Sequence, residues 1–355
     1  MKPIQFNFNT SKEFYNELKT KVKDHFETNN ISDKGNRHLY SKTIILFVAW
    51  IAAYSLILFV AQSLRAVIGS YILFWLIGGL IGFNVMHDGG HGGYSKKKWL
   101  NQLMGYSMNL LGSHLSFWQM QHNVLHHTYT NIDQYDDDID SRPIFRFHPD
   151  QQRKPIHRFQ HLYFLPLYGL GIIAMMFYGD YKRYFTRKVG SMKLKKLSLW
   201  QHSLFRGTKV AMIAIYFLIP ALFVGRWQAL LGMFIMFFAM GVVLNTVFQL
   251  AHVLEKTQMK SHIDFRIPEH RIVHELQTTA NFAMGNKVRT WLLWGLNYQV
   301  EHHLFSHISH VHYPKIAPIV QEVCAKYGIT YNSYKTITQA FISHIRQIKY
   351  LGQHN

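Results

Sequence analysis

Four stretches of this chain are long and apolar enough to dictate its environment. They cover residues 43–61, 66–86, 208–224 and 227–251, each near the ~20 residues that an α-helix needs to cross the hydrocarbon of a bilayer. Backbone groups in hydrocarbon must be satisfied within their own segment, so the runs are read as helices. QSLR at 62–65 and Gly225-Arg226 join them in pairs, which predicts two helical hairpins. A weaker run, 162–178, contains Pro166 and two glycines. It is read as an interfacial or half-buried helix.

Charge sets the orientation. Nine Lys or Arg residues and no acid lie between Lys182 and Lys209, whereas the hairpin turns carry only Arg65 and Arg226. Excess positive charge marks the cytoplasmic side, so the basic loop and both termini are placed there. Residues 87–207 and 252–355 then form one cap. The expected fold is an all-α integral membrane protein, with four transmembrane helices in two hairpins and a helical cytosolic cap holding a histidine-rich dimetal site. Its parts are a cytosolic segment 1–42, a membrane domain 43–330 and a tail 331–355. The first forty or so residues show no apolar core with a small-residue cleavage site, so the first span is expected to target the chain.

Histidine is over-supplied, with 23 residues, in a chain with only 16% charged residues. The 38 Lys and Arg against 19 acids could mark a nucleic-acid footprint, but the apolar runs favour a membrane surface and no nucleic acid. A lone cysteine, Cys324, excludes an intrachain disulfide and an iron–sulfur cluster held by four thiolates of this chain. It is read as inert packing.

The histidines concentrate in HDGGH (87–91), QHNVLHH (121–127) and NYQVEHHLF (297–305). In a helix, His87 and His91 share a face, as do His122 and His126, with His127 one step round. One such pair would be weak evidence. Three clusters on one side of a membrane supply His87, His91, His122, His126, His127, His302 and His303, more than one tetrahedral metal can use. Two metals are inferred, and imidazole alone leaves zinc, copper, iron and nickel open. Asn245, Gln249 and His252 form a polar stripe at i, i+4 and i+7 on the last span, and polar groups at that depth are commonly functional. His252 is proposed as an eighth ligand. Gln299 is read as a weak ligand or supporting donor, beside Asn245. Ligating imidazoles usually donate their other N–H to an oxygen, so Asp88, Asp136, Asp137, Asp138, Asp140 and Glu301 are candidate partners. His307, His310 and His312 are read as structural or supporting, and His25, His38, His344 and His354 as surface residues.

With HDGGH, HNVLHH and QVEHH in this order, the chain resembles the membrane-bound fatty acid desaturases over roughly residues 40–330. The resemblance implies two non-haem iron ions, O₂ as co-substrate, and a cis double bond placed in a fatty acyl substrate, either acyl-CoA or acyl-lipid. The glutamine opening the third box is similar to front-end desaturases, which act between an existing double bond and the carboxyl end. HHTYTNIDQYDDDID and LNYQVEHHLF resemble bacterial linoleoyl-CoA-type enzymes, which points to an inner membrane. The fused cytochrome b5 domain of many front-end members carries HPGG, and the nearest string here is His148-Pro149-Asp150. Electrons are therefore expected from a separate donor such as cytochrome b5 or ferredoxin with its reductase.

Removing hydrogen from an unactivated methylene needs a strong oxidant, which metals with O₂ supply and acid–base side chains do not. A lipid hydroxylase could use the same boxes. A histidine-rich metal transporter would need ionisable residues along a path through the spans, and the four runs are read as free of them. A zinc hydrolase would want a motif such as HExxH, which is absent.

Overall fold

The computed structural model describes residues 2–354 except Ser191, Ile263, Asp264 and Trp294. It is mostly helical, with three two-stranded pairings and no barrel among the described residues. Five helices are long and apolar enough to span a bilayer: Arg37–Phe59, Leu64–His91, Pro155–Thr186, Leu199–Val224 and Arg226–His252. Their starts follow capping chemistry, in which a side-chain oxygen satisfies orphan N–H groups of the first turn. Asn36 accepts from His38 and Leu39, Ser63 from Ala66, and Ser198 from Gln201. Gly225, at φ 89°, turns the chain sharply between the last two, a backbone angle that glycine adopts without penalty.

The weak run expands into a helix of 32 residues that counts as a fifth candidate by length and composition. Pro166 lies inside it. Its fit against Arg226–His252 depends on small residues. A Cβ at Gly241 would fall on the carbonyl oxygens of Tyr168 and Gly169, and one at Gly169 on the Phe238 ring. Two long helices approach this closely only where side chains are missing.

Between the spans, Trp50 stacks on Phe74 at 4.7 Å, and the Tyr54 and Tyr71 hydroxyls donate to the carbonyls of Ile215 and Tyr216 at 2.9 Å. Those carbonyls lie in the π-helical turn Ala214–Leu218, where the wider winding leaves the backbone ladder needing partners. In the cap, Phe14, Leu18, Val22 and Phe26 pack with Ile316, Val320 and Cys324. Burial pushes the Cys324 thiol up to about 12, which suits a packing role. Short parallel pairings tie Gln5–Phe6 to Arg266–Ile267 and Asn281–Phe282 to Ser333–Tyr334. Both ends of the chain are thereby built into the cap.

Two expectations fail. Lys209 is the second residue of the run at 208–224, and it is buried against Asp180 with Nζ to Oδ2 2.8 Å. The spans therefore do hold an ionised group, and pairing is what makes its burial tolerable. His344 is no surface residue. It is fully buried, with Nδ1 2.8 Å from the Val253 carbonyl and Nε2 2.9 Å from the Tyr168 hydroxyl. Helix Ile337–Gln353 presents it inward, a placement that local spacing does not reveal.

Candidate metal centre

The first two histidines end the second span. A π-helical turn, Gly82–Met86, leads into His87–His91, and the two rings lie 4.7 Å apart. Gly89 and Gly90 permit the close fit around this turn, since a Cβ at either would collide with Gly105 or Trp118. The second cluster is wound differently from the α-helix that its spacing suggests. Gln119–His126 is π-helical, and its i→i+5 repeat stacks position i+5 over position i. His127 is thus brought beside His122, Nε2 to Nε2 3.3 Å, instead of pointing away. His302 and His303 lie on the short helix Gln299–Leu304, and His252 closes the helix Arg226–His252.

These eight imidazoles gather into two groups. His87, His91, His122 and His302 offer ring nitrogens all within 4.8 Å of one another, and so do His126, His252 and His303. His127 joins the first group, with its Nε2 2.9 Å from that of His302. His122, His126 and the Asp138 carboxylate form a further set linking the two.

Whether a metal fits can be tested on the nitrogens themselves. Contacts of 2.9 to 3.3 Å between Nε2 atoms of His87, His122, His127 and His302 match the roughly 3–3.4 Å expected between neighbouring ligands at ~2.0–2.1 Å from one ion. The Nε2 atoms of His91, His126, His252 and His303 are buried without a hydrogen-bond partner, although buried polar atoms are normally satisfied. In four of the eight rings the opposite nitrogen is held. His126 Nδ1 lies 3.1 and 3.2 Å from the Asp136 oxygens, His303 Nδ1 2.9 Å from Glu275, His302 Nδ1 3.2 Å from the Tyr313 hydroxyl, and His252 Nδ1 3.3 Å from the Thr278 carbonyl. Such partners fix the tautomer that leaves Nε2 free for a metal.

Electrostatics point the same way. Burial, reinforced by neighbouring imidazoles, holds His127, His302 and His303 well below the ordinary histidine range, in the neutral form that ligates. Burial presses His126 likewise, but Asp136 and Asp138 overcome it and lift the group to about 9. A cation at Nε2 would take over from that proton. Asp136 is locked in turn by the Asn131 and Asp138 amides at 2.9 and 3.0 Å.

The supporting residues divide. Asp138 stands 3.4 Å from His126 and Asp136 at hydrogen-bond distance, whereas Asp137 turns away to Arg183 at 3.4 Å and Asp140 to Arg142 at 2.6 Å. Asp88 faces His310, at 2.9 Å, and Ser309. Glu301 accepts from Asn281 and Tyr331, each 2.7 Å away. Gln299 is buried, and its Nε2 has no partner. Asn245 donates to the Tyr168 carbonyl at 2.8 Å. Glu275 and Tyr313 are absent from the sequence reading. A buried-face acid in the amphipathic helix Arg271–Thr278, next to His274, was the signal for the first.

A cavity of about 170 Å³ opens beside this centre. His87, His122 and Asp138 form one part of its wall, and Phe83, Ile172, Met176, Met240 and Phe248 line it with apolar surface. A model of the family described as fatty acid desaturase matches residues 61–335. The chain belongs to the fatty acid desaturase family. Two cyanobacterial proteins named sn-1 linoleoyl-lipid 6-desaturase are similar to it. That of Arthrospira platensis is 33% identical over 96% of this chain and 93% of its own length. That of Synechocystis sp. is 30% identical over 98% of each. An acyl-lipid (8-3)-desaturase of Physcomitrium patens is 30% identical over 96% of this chain and 72% of its own. As a desaturase the chain is an oxidoreductase of lipid metabolism, a membrane protein with a metal site, and a user of a lipid substrate and a separate electron donor.

Proposed function

We propose that this desaturase inserts a cis double bond on the carboxyl side of an existing one, in a lipid-linked linoleoyl chain, using two non-haem iron ions and O₂. The observation that carries the reading is the apolar cavity ending on His87 and His122. Bound iron with O₂ would supply the oxidising power for an unactivated methylene. Two hydrogens leave the chain, a carrier supplies two electrons, two protons come from the medium, and O₂ becomes two waters. One ion would be held by His87, His91, His122, His127 and His302, the other by His126, His252 and His303. The protein aligns the chain, and its apolar wall keeps water from the reacting carbons. The glutamine of QVEHH and the names of the relatives support the position and the lipid carrier.

The membrane reading remains four crossings with the site on the cytoplasmic face of a bacterial inner membrane. The helix Pro155–Thr186 is tied to the cap at both ends, which favours its lying along the interface. Gln160 bonds to Arg146 and Ile348, and Arg183 meets Asp137. Segments 1–42 and 331–355 then complete the cap of a membrane domain over 43–330. A cytochrome b5 or ferredoxin with its reductase is the donor proposed.

The test is the fatty-acid profile, with double-bond positions, of cells expressing the protein or its His126→Ala variant and fed linoleate. A new polyunsaturated chain with the parent and none with the variant is expected. An oxygenated chain would instead mean a hydroxylase.

A further inference from the structure

One buried ionic group has no part in the chemistry above. Lys209 is 5% exposed and Asp180 fully buried, and charges are placed so only when paired. The Lys209 ammonium donates to Asp180 Oδ2 at 2.8 Å and to the Gly112 and Met176 carbonyls at 2.9 Å. Ser113 donates to the same carboxylate oxygen at 2.9 Å. One ammonium thus joins the segment after Ser107–Leu110, the helix Pro155–Thr186 and the middle of Leu199–Val224.

Two of those three segments wall the cavity, through Leu111 and Met176. Gly112, at φ 103°, lies against Met212 and Met176. One turn beyond Asp180, Arg183 reaches Asp137, the residue between Asp136 and Asp138. The helix is therefore fastened to the metal-bearing segment at one point and to the cavity wall at another.

We propose that Lys209, acting through Asp180, is a positioning residue that sets how far the methionine wall stands from the metal centre, and so which carbon pair of the acyl chain reaches it. The proposal rests on the desaturase reading. A methylene run carries no polar group to mark its register, so the shape of the wall must do so. Displacement by about 1 Å suffices to change a rate a hundredfold.

The test uses the purified, metal-loaded protein, Lys209→Met, and the double variant Lys209→Met with Asp180→Leu, in which neither charge of the pair is stranded. Double-bond positions are read from linoleate-fed cells. Chain-length preference is read, without turnover, as thermal stabilisation by a series of fatty acid methyl esters. At parental metal content, the double variant should give positional isomers, with the parental product's excess reduced roughly tenfold or more. Its best-stabilising ester should change in length. A single parental isomer with the parental length optimum, in folded and metal-loaded protein, would overturn the role. If the parent makes no unsaturated product and yet the optimum moves in the variant, the desaturase reading fails, and with it the choice of carbon pair, while Lys209 still sets the position of the cavity wall.

Discussion

Replacing Glu275 by Gln separates metal affinity from chain stability. Glu275 is 2% exposed, with one carboxylate oxygen 2.9 Å from His303 Nδ1 and 3.3 Å from the Thr130 hydroxyl. Its other oxygen faces Arg271 at 3.4 Å. Glutamine keeps the shape and an acceptor oxygen but removes the charge that makes the imidazole a stronger donor to a cation. Loss of such a partner typically weakens metal binding by ~10–100-fold, or about 1.4–2.7 kcal/mol. The metal-free chain should respond in the opposite sense. Burial lifts the Glu275 carboxyl to about 7, against the pull of Arg271, so its charge is poorly compensated and neutralising it costs little. We expect the metal-free variant to melt at or above the parent and the loaded variant below it. Dialysis against graded chelator, with metal counted per chain, should show one of two ions released at about 10–100-fold lower chelator activity. Identical release curves for variant and parent would refute the argument that the Glu275 charge supports His303.

Other substitutions probe neighbouring features. His252→Ala removes one of three imidazoles from the second group, and should lower bound metal from about two ions toward one; an unchanged count in elemental analysis would exclude His252 as a ligand. Asp138→Asn should reduce metal retention while Asp137→Asn leaves it at the parental level, because of these two only Asp138 reaches an imidazole. Equal loss in both would contradict this division of the acidic run. Gly241→Val forces the helix Arg226–His252 away from the Tyr168 and Gly169 carbonyls, and thermal denaturation in detergent should show a loss of roughly 1–3 kcal/mol or more.

The hairpins and box histidines were legible because each is written locally, as an uninterrupted apolar run or as a repeat of four. What escaped depends on contacts made at long range or on unusual winding. Glu275 is far from every box in sequence and meets His303 only after the cap closes. The π-helical winding of Gln119–His126 leaves no mark in spacing, so His127 was placed off the face it shares with His122. Asp136, Asp137 and Asp138 are alike in sequence, and only the backbone turn sends the middle one to Arg183. Lys209 was lost at the edge of a run, where one cation barely alters mean hydropathy yet must find a buried partner.

One group of imidazoles needs His302 and the other His303, each together with histidines made much earlier in the chain. During synthesis the early clusters leave the ribosome well before their last partners. The two groups are complete only once residues 302 and 303 have emerged, so full metal loading must come late in biogenesis, after all five long apolar helices have been made. A chain stalled or truncated before that point would carry unfinished imidazole clusters, and the cell's metal supply would meet the finished site only at the end of translation.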